Sequence, residues 1–263
     1  MGMSSKRLTI VLACLAAAFA LTATAPAALA QLSKGEIQKD FVLCTFPVPN
    51  INFSAKHVDD VIAACTALVN TPGGSAENRA LAHLQRGALY RRLGKFELAL
   101  ADFTMSIHYD PNSAYAYTGR GNAHRGLHQL DEAIEDHTKA IELKPDYAEA
   151  YNNRGNAWDD KKDYKRAIAD FDEAIKLNPR YAAAFSNRAI SKSSLGDKAG
   201  AIADDDAAIK INPDYASAFY NRAIIKFDRD DKAGAIADLR AALKINPDFE
   251  QAAGMLKELR GKR

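Results

Sequence analysis

The chain is short of cysteine, of net charge and of long apolar runs. Three cysteines in 263 residues are too few for a fold built on disulfides. The formal net charge is +2, from 35 Lys+Arg against 33 Asp+Glu. That leaves no broad basic surface of the kind that drives nucleic-acid binding, and no nucleic-acid partner is expected. No apolar stretch reaches the roughly twenty residues of a membrane span. A glycine-rich nucleotide loop, HExxH, G-x-S-x-G and paired CxxC are all missing, so nothing marks an enzyme or a cofactor site. What is present, 48% hydrophobic and 26% charged residues, is the balance of an ordinary folded protein.

The most apolar run lies near the start. Lys6 and Arg7 precede residues 8–21 (LTIVLACLAAAFAL), and Ala28-Leu29-Ala30 precede Gln31. A basic start, an apolar centre and an A-x-A site are the three parts of a secretory signal peptide, here cleaved after Ala30. An uncleaved anchor is the alternative. The lipobox-like VLAC ending at Cys14 would leave too short an apolar core. Cleavage removes two bases and no acid, so 33 bases face 33 acids in the mature chain. The expected product is a bacterial periplasmic or secreted protein without a membrane span. It retains Cys44 and Cys65, which an oxidising compartment is expected to pair. A reactive thiol is the other reading, but Cys65 sits in an apolar run, VIAACTALV, rather than in a basic setting.

A period of 34 organises the rest. Pro111, Pro145, Pro179, Pro213 and Pro247 recur in step, as do Ala99, Ala133, Ala167, Ala201 and Ala235. A small residue repeats at Gly87, Gly121, Gly155, Ala189 and Ala223, with Arg86, Arg120, Arg154, Arg188 and Arg222 one place earlier. Asp102, Asp136, Asp170, Asp204 and Asp238 form a further column. Apolar spacing predicts a helix over 148–160 and a second over 164–177, joined by a polar turn and ended by Asn178-Pro179.

Tyr151, Gly155, Trp158, Ala167, Phe171 and Pro179 resemble the 34-residue tetratricopeptide repeat (TPR) pattern. The resemblance runs from Ala80 to Phe249. It implies an all-α, right-handed α-solenoid of antiparallel helix pairs, with the first helix of each pair lining the concave side. The expected organisation is a signal peptide (1–30), an N-terminal segment with a degenerate helical half-repeat (31–79), five units (80–113, 114–147, 148–181, 182–215 and 216–249), and a capping helix with a basic tail (250–263). The half-repeat rests on VIAAC at 61–65, which echoes AIADF at 167–171, and a loop over 71–78 follows it.

The Arg and Asp columns lie sixteen residues apart, so an antiparallel hairpin brings them together. A structural ladder is expected, with ligand binding by the Arg residues as the alternative. Glu135 and Lys139, Asp172 and Lys176, and Asp206 and Lys210 are placed as i,i+4 pairs. His124, His128 and His137 share one repeat and raise the question of zinc, but packing is the simpler reading, and no metal or cofactor is expected. Asp205 stands in the slot of Phe171, which weakens the packing expected of the fourth repeat.

The resemblance implies a non-enzymatic, exported scaffold holding a protein or peptide partner in its concave groove. The alternatives are an accessory to an envelope assembly complex or a zinc-binding protein. Asn153, Asn187 and Asn221 share one position, and Asn122 and Asn156 another. In the family both positions face the groove, where amides can bridge the backbone of an extended peptide. The pattern resembles the asparagine ladder of O-GlcNAc transferases more than a carboxylate clamp, since Thr118, Ala183 and Asn187 fill the clamp's basic positions. An equally open reading is that these amides link adjacent repeats and set the superhelical pitch. Oligomeric state leaves no mark on the sequence.

Overall fold

The computed structural model describes residues 40, 43–44, 55–71 and 73–261. The expected signal peptide, its cleavage site and most of the segment up to residue 54 lie outside the described residues. The described chain is helical. α1 (Ala55–Asn70) precedes five antiparallel pairs: α2 (Ala76–Arg92) with α3 (Phe96–Tyr109), α4 (Ala114–Gly126) with α5 (Leu130–Leu143), and α6 (Ala148–Asp160) with α7 (Tyr164–Leu177). The last two pairs are α8 (Ala182–Ser194) with α9 (Lys198–Ile211) and α10 (Ala216–Phe227) with α11 (Lys232–Ile245); α12 (Glu250–Gly261) closes the stack. The third pair has the bounds its apolar spacing predicts.

Each helix packs chiefly on its chain neighbours. Successive first helices also touch, whereas successive second helices make no comparable contact. In a curved stack the closer-spaced helices lie inside, so α2, α4, α6, α8 and α10 line the concave face.

Sequence columns become contact planes. The recurring Ala of the second helix, Ala99 through Ala235, is fully buried in all five copies. Gly155 faces Phe171 so closely that an added Cβ would stand 2.7 Å from the ring. Left-handed backbone closes each hairpin at Gly94, His128, Lys162, Gly196 and Asp230, again 34 apart. Asp163, Asp197 and Asp231 cap the following helices by accepting the backbone N–H three residues on. α2 begins four residues before the repeat register, at Ala76. Ser75 accepts the Asn78 N–H and Glu77 favours the helix start, so the expected 71–78 loop ends at Ser75.

Each repeat carries one fork between Arg and Asp. Nε and Nη2 of Arg86, Arg120, Arg154, Arg188 and Arg222 donate to both oxygens of Asp102, Asp136, Asp170, Asp204 and Asp238, at 2.6–2.9 Å. These carboxylates are buried. In four copies Nη1 reaches back to an earlier second helix: Arg86 to Thr66 (2.8 Å), Arg154 to Thr138 (3.1 Å), Arg188 to Asp172 (2.5 Å) and Arg222 to Asp206. The i,i+4 pairing expected of Asp172 and Asp206 gives way here, because each Asp turns to the Arg of the next repeat. Lys139 and Lys176 pair with Glu142 and Glu173.

The core column after the Asp reads Phe103, His137, Phe171, Asp205, Leu239, and every member is buried to 1% exposure or less. Neither ring nitrogen of His137 has a hydrogen-bond partner among the described residues. Burial, with Arg125 and Arg154 nearby, pushes its pKa down to about 3.

The fork and the buried imidazole each carry a measurable consequence. Arg154→Leu alone is expected to cost about 3 kcal/mol in urea unfolding, because it strands buried Asp170. Adding Asp170→Leu should recover part of that loss, and strictly additive losses would rule out the coupling. The folded pKa of His137 lies below its ordinary value of about 6.5. The array therefore loses stability as pH falls from there towards 3, roughly tenfold in the folding constant per pH unit. His137→Phe removes that limb. Its advantage over the native chain should grow by about 2–3 kcal/mol between pH 7 and pH 4.5, and an unchanged advantage would refute the assignment.

Candidate functional site

The concave face is built by residues that point away from the helix pair. Asn122, Asn153, Asn156, Asn187 and Asn221 all lie half-buried on first helices. The Asn187 amide donates to Asn152 Oδ1 of the preceding repeat (3.0 Å), and the Asn221 amide donates to Ser186 Oγ (3.0 Å). Asn152 in turn donates to Asn153 Oδ1 (3.2 Å). One N–H from each of Asn187 and Asn221 is thus spent on stacking repeats. Each amide keeps a second N–H and a carbonyl oxygen for other use. No protein hydrogen bond engages the side chain of Asn122 or Asn156 among the described residues.

The acceptors Asn152 and Ser186 escaped the sequence reading. They share one column, a single residue before the Asn column, and that offset was the available signal. Two further links tie the same face: Arg125 to Asp160 (2.6 Å) and Ser191 to Asp159. Burial raises the pKa of Asp159, opposed by the hydrogen bond from Ser191.

The character of the face changes along the stack. The position held by Asn122 and Asn156 becomes Ile190 and Ile224 in the last two repeats, where both are exposed, as is Phe227. The cations there are engaged: Lys192 and Arg188 on Asp204, Lys226 and Arg222 on Asp238, Lys198 on Asp228.

The three histidines of the second repeat diverge. His124 Nδ1 meets Gln129 Oε1 at 2.7 Å and its Nε2 lies 3.7 Å from Asp136, so both ring nitrogens are taken up by these neighbours. His128 occupies the left-handed turn, and His137 is sealed in the core. Among the described residues no three His, Cys, Asp or Glu side chains converge as metal ligands would. No described helix is long and apolar enough to cross a membrane. Cys44 and Cys65 stand together with Cα atoms 5.0 Å apart, in a cluster with Val61, Ala64, Leu68 and Ala82 that joins α1 to α2.

Comparison with known proteins agrees with this architecture. Family models described as tetratricopeptide repeat match residues 148–181 and, in a second case, 84–137 and 186–248; one described as TPR repeat matches 121–158. No curated protein shows significant sequence similarity to the chain. Among solved structures, TTC0263, a thermophilic TPR protein in Thermus thermophilus, superposes with a TM-score of 0.63 at 19% identity, covering 68% of this chain and 98% of its own. PilF of Pseudomonas aeruginosa gives 0.57 at 20%, covering 72% and 95%. YrrB, a TPR protein with an unusual peptide-binding site, gives 0.52 at 22%, covering 74% and 99%. Repeats of this kind generally serve protein–protein interaction. With its 34-residue columns, its stacked helix pairs and these matches, the chain belongs to the tetratricopeptide repeat family.

Proposed function

We propose that the mature chain is an exported, non-enzymatic scaffold that holds an extended polypeptide along its concave face. The observation that carries this reading is the row of half-buried amides, Asn122, Asn153, Asn156, Asn187 and Asn221, on the inner helices. Each has hydrogen-bonding capacity left after the repeats are stacked. Such a row grips main chain with little regard to side-chain sequence. A peptide-binding site on a TPR protein of related fold, YrrB, is consistent with it. Export rests on the N-terminal pattern and on the cysteine pair. The segment starting at Gln31 would work in the periplasm or outside the cell, where Cys44 and Cys65 close a disulfide between the N-terminal segment and α1.

A second reading, in which the column sets the pitch of the superhelix, is favoured by the Asn187–Asn152 and Asn221–Ser186 bonds. The two readings assign different residues to different tasks. Asn122→Ala with Asn156→Ala is expected to leave thermal melting unchanged and to weaken capture of the partner at least several-fold, about 1–3 kcal/mol. The partner is first identified by affinity capture with the mature chain and mass spectrometry. Intact capture in this variant, with earlier melting in Asn187→Ala/Asn221→Ala, would leave the amides a purely structural role. Non-reducing peptide mapping of exported protein should recover Cys44 and Cys65 in one linked pair, and two free thiols would overturn the disulfide.

A further inference from the structure

Asp205 is a carboxyl group where the core calls for an aromatic ring. It occupies the column of Phe103, Phe171 and Leu239 and has no exposed surface. Its Oδ2 has no hydrogen-bond partner among the described residues. Its Oδ1 accepts from Ser186 Oγ at 2.9 Å, and Ser186 Oγ accepts from the Asn221 amide at 3.0 Å. A three-residue relay therefore runs from the interior of repeat four to the concave face of repeat five.

The groups facing Asp205 offer no uncommitted counter-charge among the described residues. On its own helix Asp204 and Asp206 are acids. On α8, Arg188 and Lys192 are committed to Asp204, at 2.6 and 2.9 Å. From α10, Arg222 is the one cation whose field reaches Asp205, and it is already divided between Asp238 and Asp206. Lys226 is bound to Asp238 (2.7 Å), and Tyr215, just ahead of α10, is neutral and itself half-buried. A neutral carboxylic acid fits such a site, because it accepts from Ser186 and leaves only one O–H unmet. An anion there would lack water and would share its one nearby cation with Asp206 and Asp238.

We propose that Asp205 is a proton-operated latch on the joint between repeats four and five: protonated, it stays sealed in the core and the Ser186–Asn221 relay stays closed over it; ionised, it still attracts the Ser186 O–H but must draw water into the core, which opens the joint and loosens α8 and α9. Its consequence for binding rests on the groove reading above, since Asn221 belongs to that face, but the latch itself needs no ligand. Burial drives the carboxyl pKa up to about 8. The folded value thus exceeds the ordinary one of about 3.9. The stability this group contributes is full below pH 4 and is lost as pH rises through 8.

The test uses the full mature chain, free of partner. The Asp205 side-chain carbon signal should titrate above pH 7. The Asn221 side-chain amide proton should move with the same midpoint, and Ser186→Ala should abolish that movement. Protection from hydrogen exchange in α8 and α9 should fall roughly tenfold per pH unit between pH 5 and pH 8. It should be flat in Asp205→Asn, with α6 and α7 behaving alike in both proteins. A titration of Asp205 in the usual carboxylate range overturns the latch even if Asp205→Asn fails to fold. So does an exchange profile that is identical in both proteins. Either result leaves the groove reading standing, and loss of peptide capture in the Asn122→Ala/Asn156→Ala variant bears on the groove alone.

Discussion

One guanidinium per repeat sets the geometry of the rest. Each Arg grips a buried carboxylate sixteen residues on, which fixes the hairpin, and in four copies reaches back to an earlier second helix. In four repeats its cationic carbon also lies 5.4–5.7 Å from the ring three residues before it: Tyr117, Tyr151, Phe185 and Phe219. The need for such a device follows from the core. The planes between helices are made largely of Ala and Gly, which permit close approach but bury little area apiece and fix sliding only weakly. A bidentate fork has a narrow geometric tolerance, so it supplies the register that small side chains leave loose. Because the Arg residues stay partly exposed, the forks avoid the full desolvation cost of a sealed ion pair.

Against that regular frame, the departures from the repeat are informative. His137 and Asp205 replace the ring in the same column of two different repeats, with intact Phe171 between them. Neither finds the full set of partners a buried polar group requires. Burial favours the neutral form of both, which lowers the pKa of the base and raises that of the acid. The acid side of the pH range therefore strains the second repeat, and the neutral-to-alkaline side strains the fourth. A repeat array responds locally to such strain, since each unit contacts only its neighbours.

Periodicity made much of this fold legible. The helix bounds of the third repeat and the Arg–Asp pairing at a spacing of sixteen follow from patterns in the chain, whereas the nearness of Cys44 to Cys65 is expected only from an oxidising compartment and the cysteine count. What periodicity cannot convey is which of two neighbours a side chain will choose. Asp172 and Asp206 have a Lys four residues on, yet both turn to the Arg of the next repeat, whose position is fixed by its own fork. Asn187 finds Asn152 for a similar reason: the column that matters is offset by one residue and lies in another repeat. The early start of α2 was hidden because Ser75 breaks the register with an ordinary local cap.

Because the scaffold repeats, the concave face acquires direction only where the repeats differ. In the second and third repeats it presents Asn122 and Asn156, with Asp159 and Asp160 tied to Ser191 and Arg125. In the fourth and fifth the same columns present Ile190, Ile224 and Phe227, and the nearby cations are taken up by carboxylates. On the proposed groove reading, an extended chain along this face would meet amides of both columns at one end and, at the other, the single column of Asn187 and Asn221 beside exposed Ile190, Ile224 and Phe227. Uniform amides would hold a backbone in any register, whereas the gain of exposed apolar surface would distinguish one placement from another. The joint between repeats four and five lies within the aliphatic part, and the amide that bridges it, Asn221, is joined through Ser186 to the one carboxyl group in the core column. On the proposed groove reading, placement of a bound chain and the tightness of the stack would depend on the same few side chains.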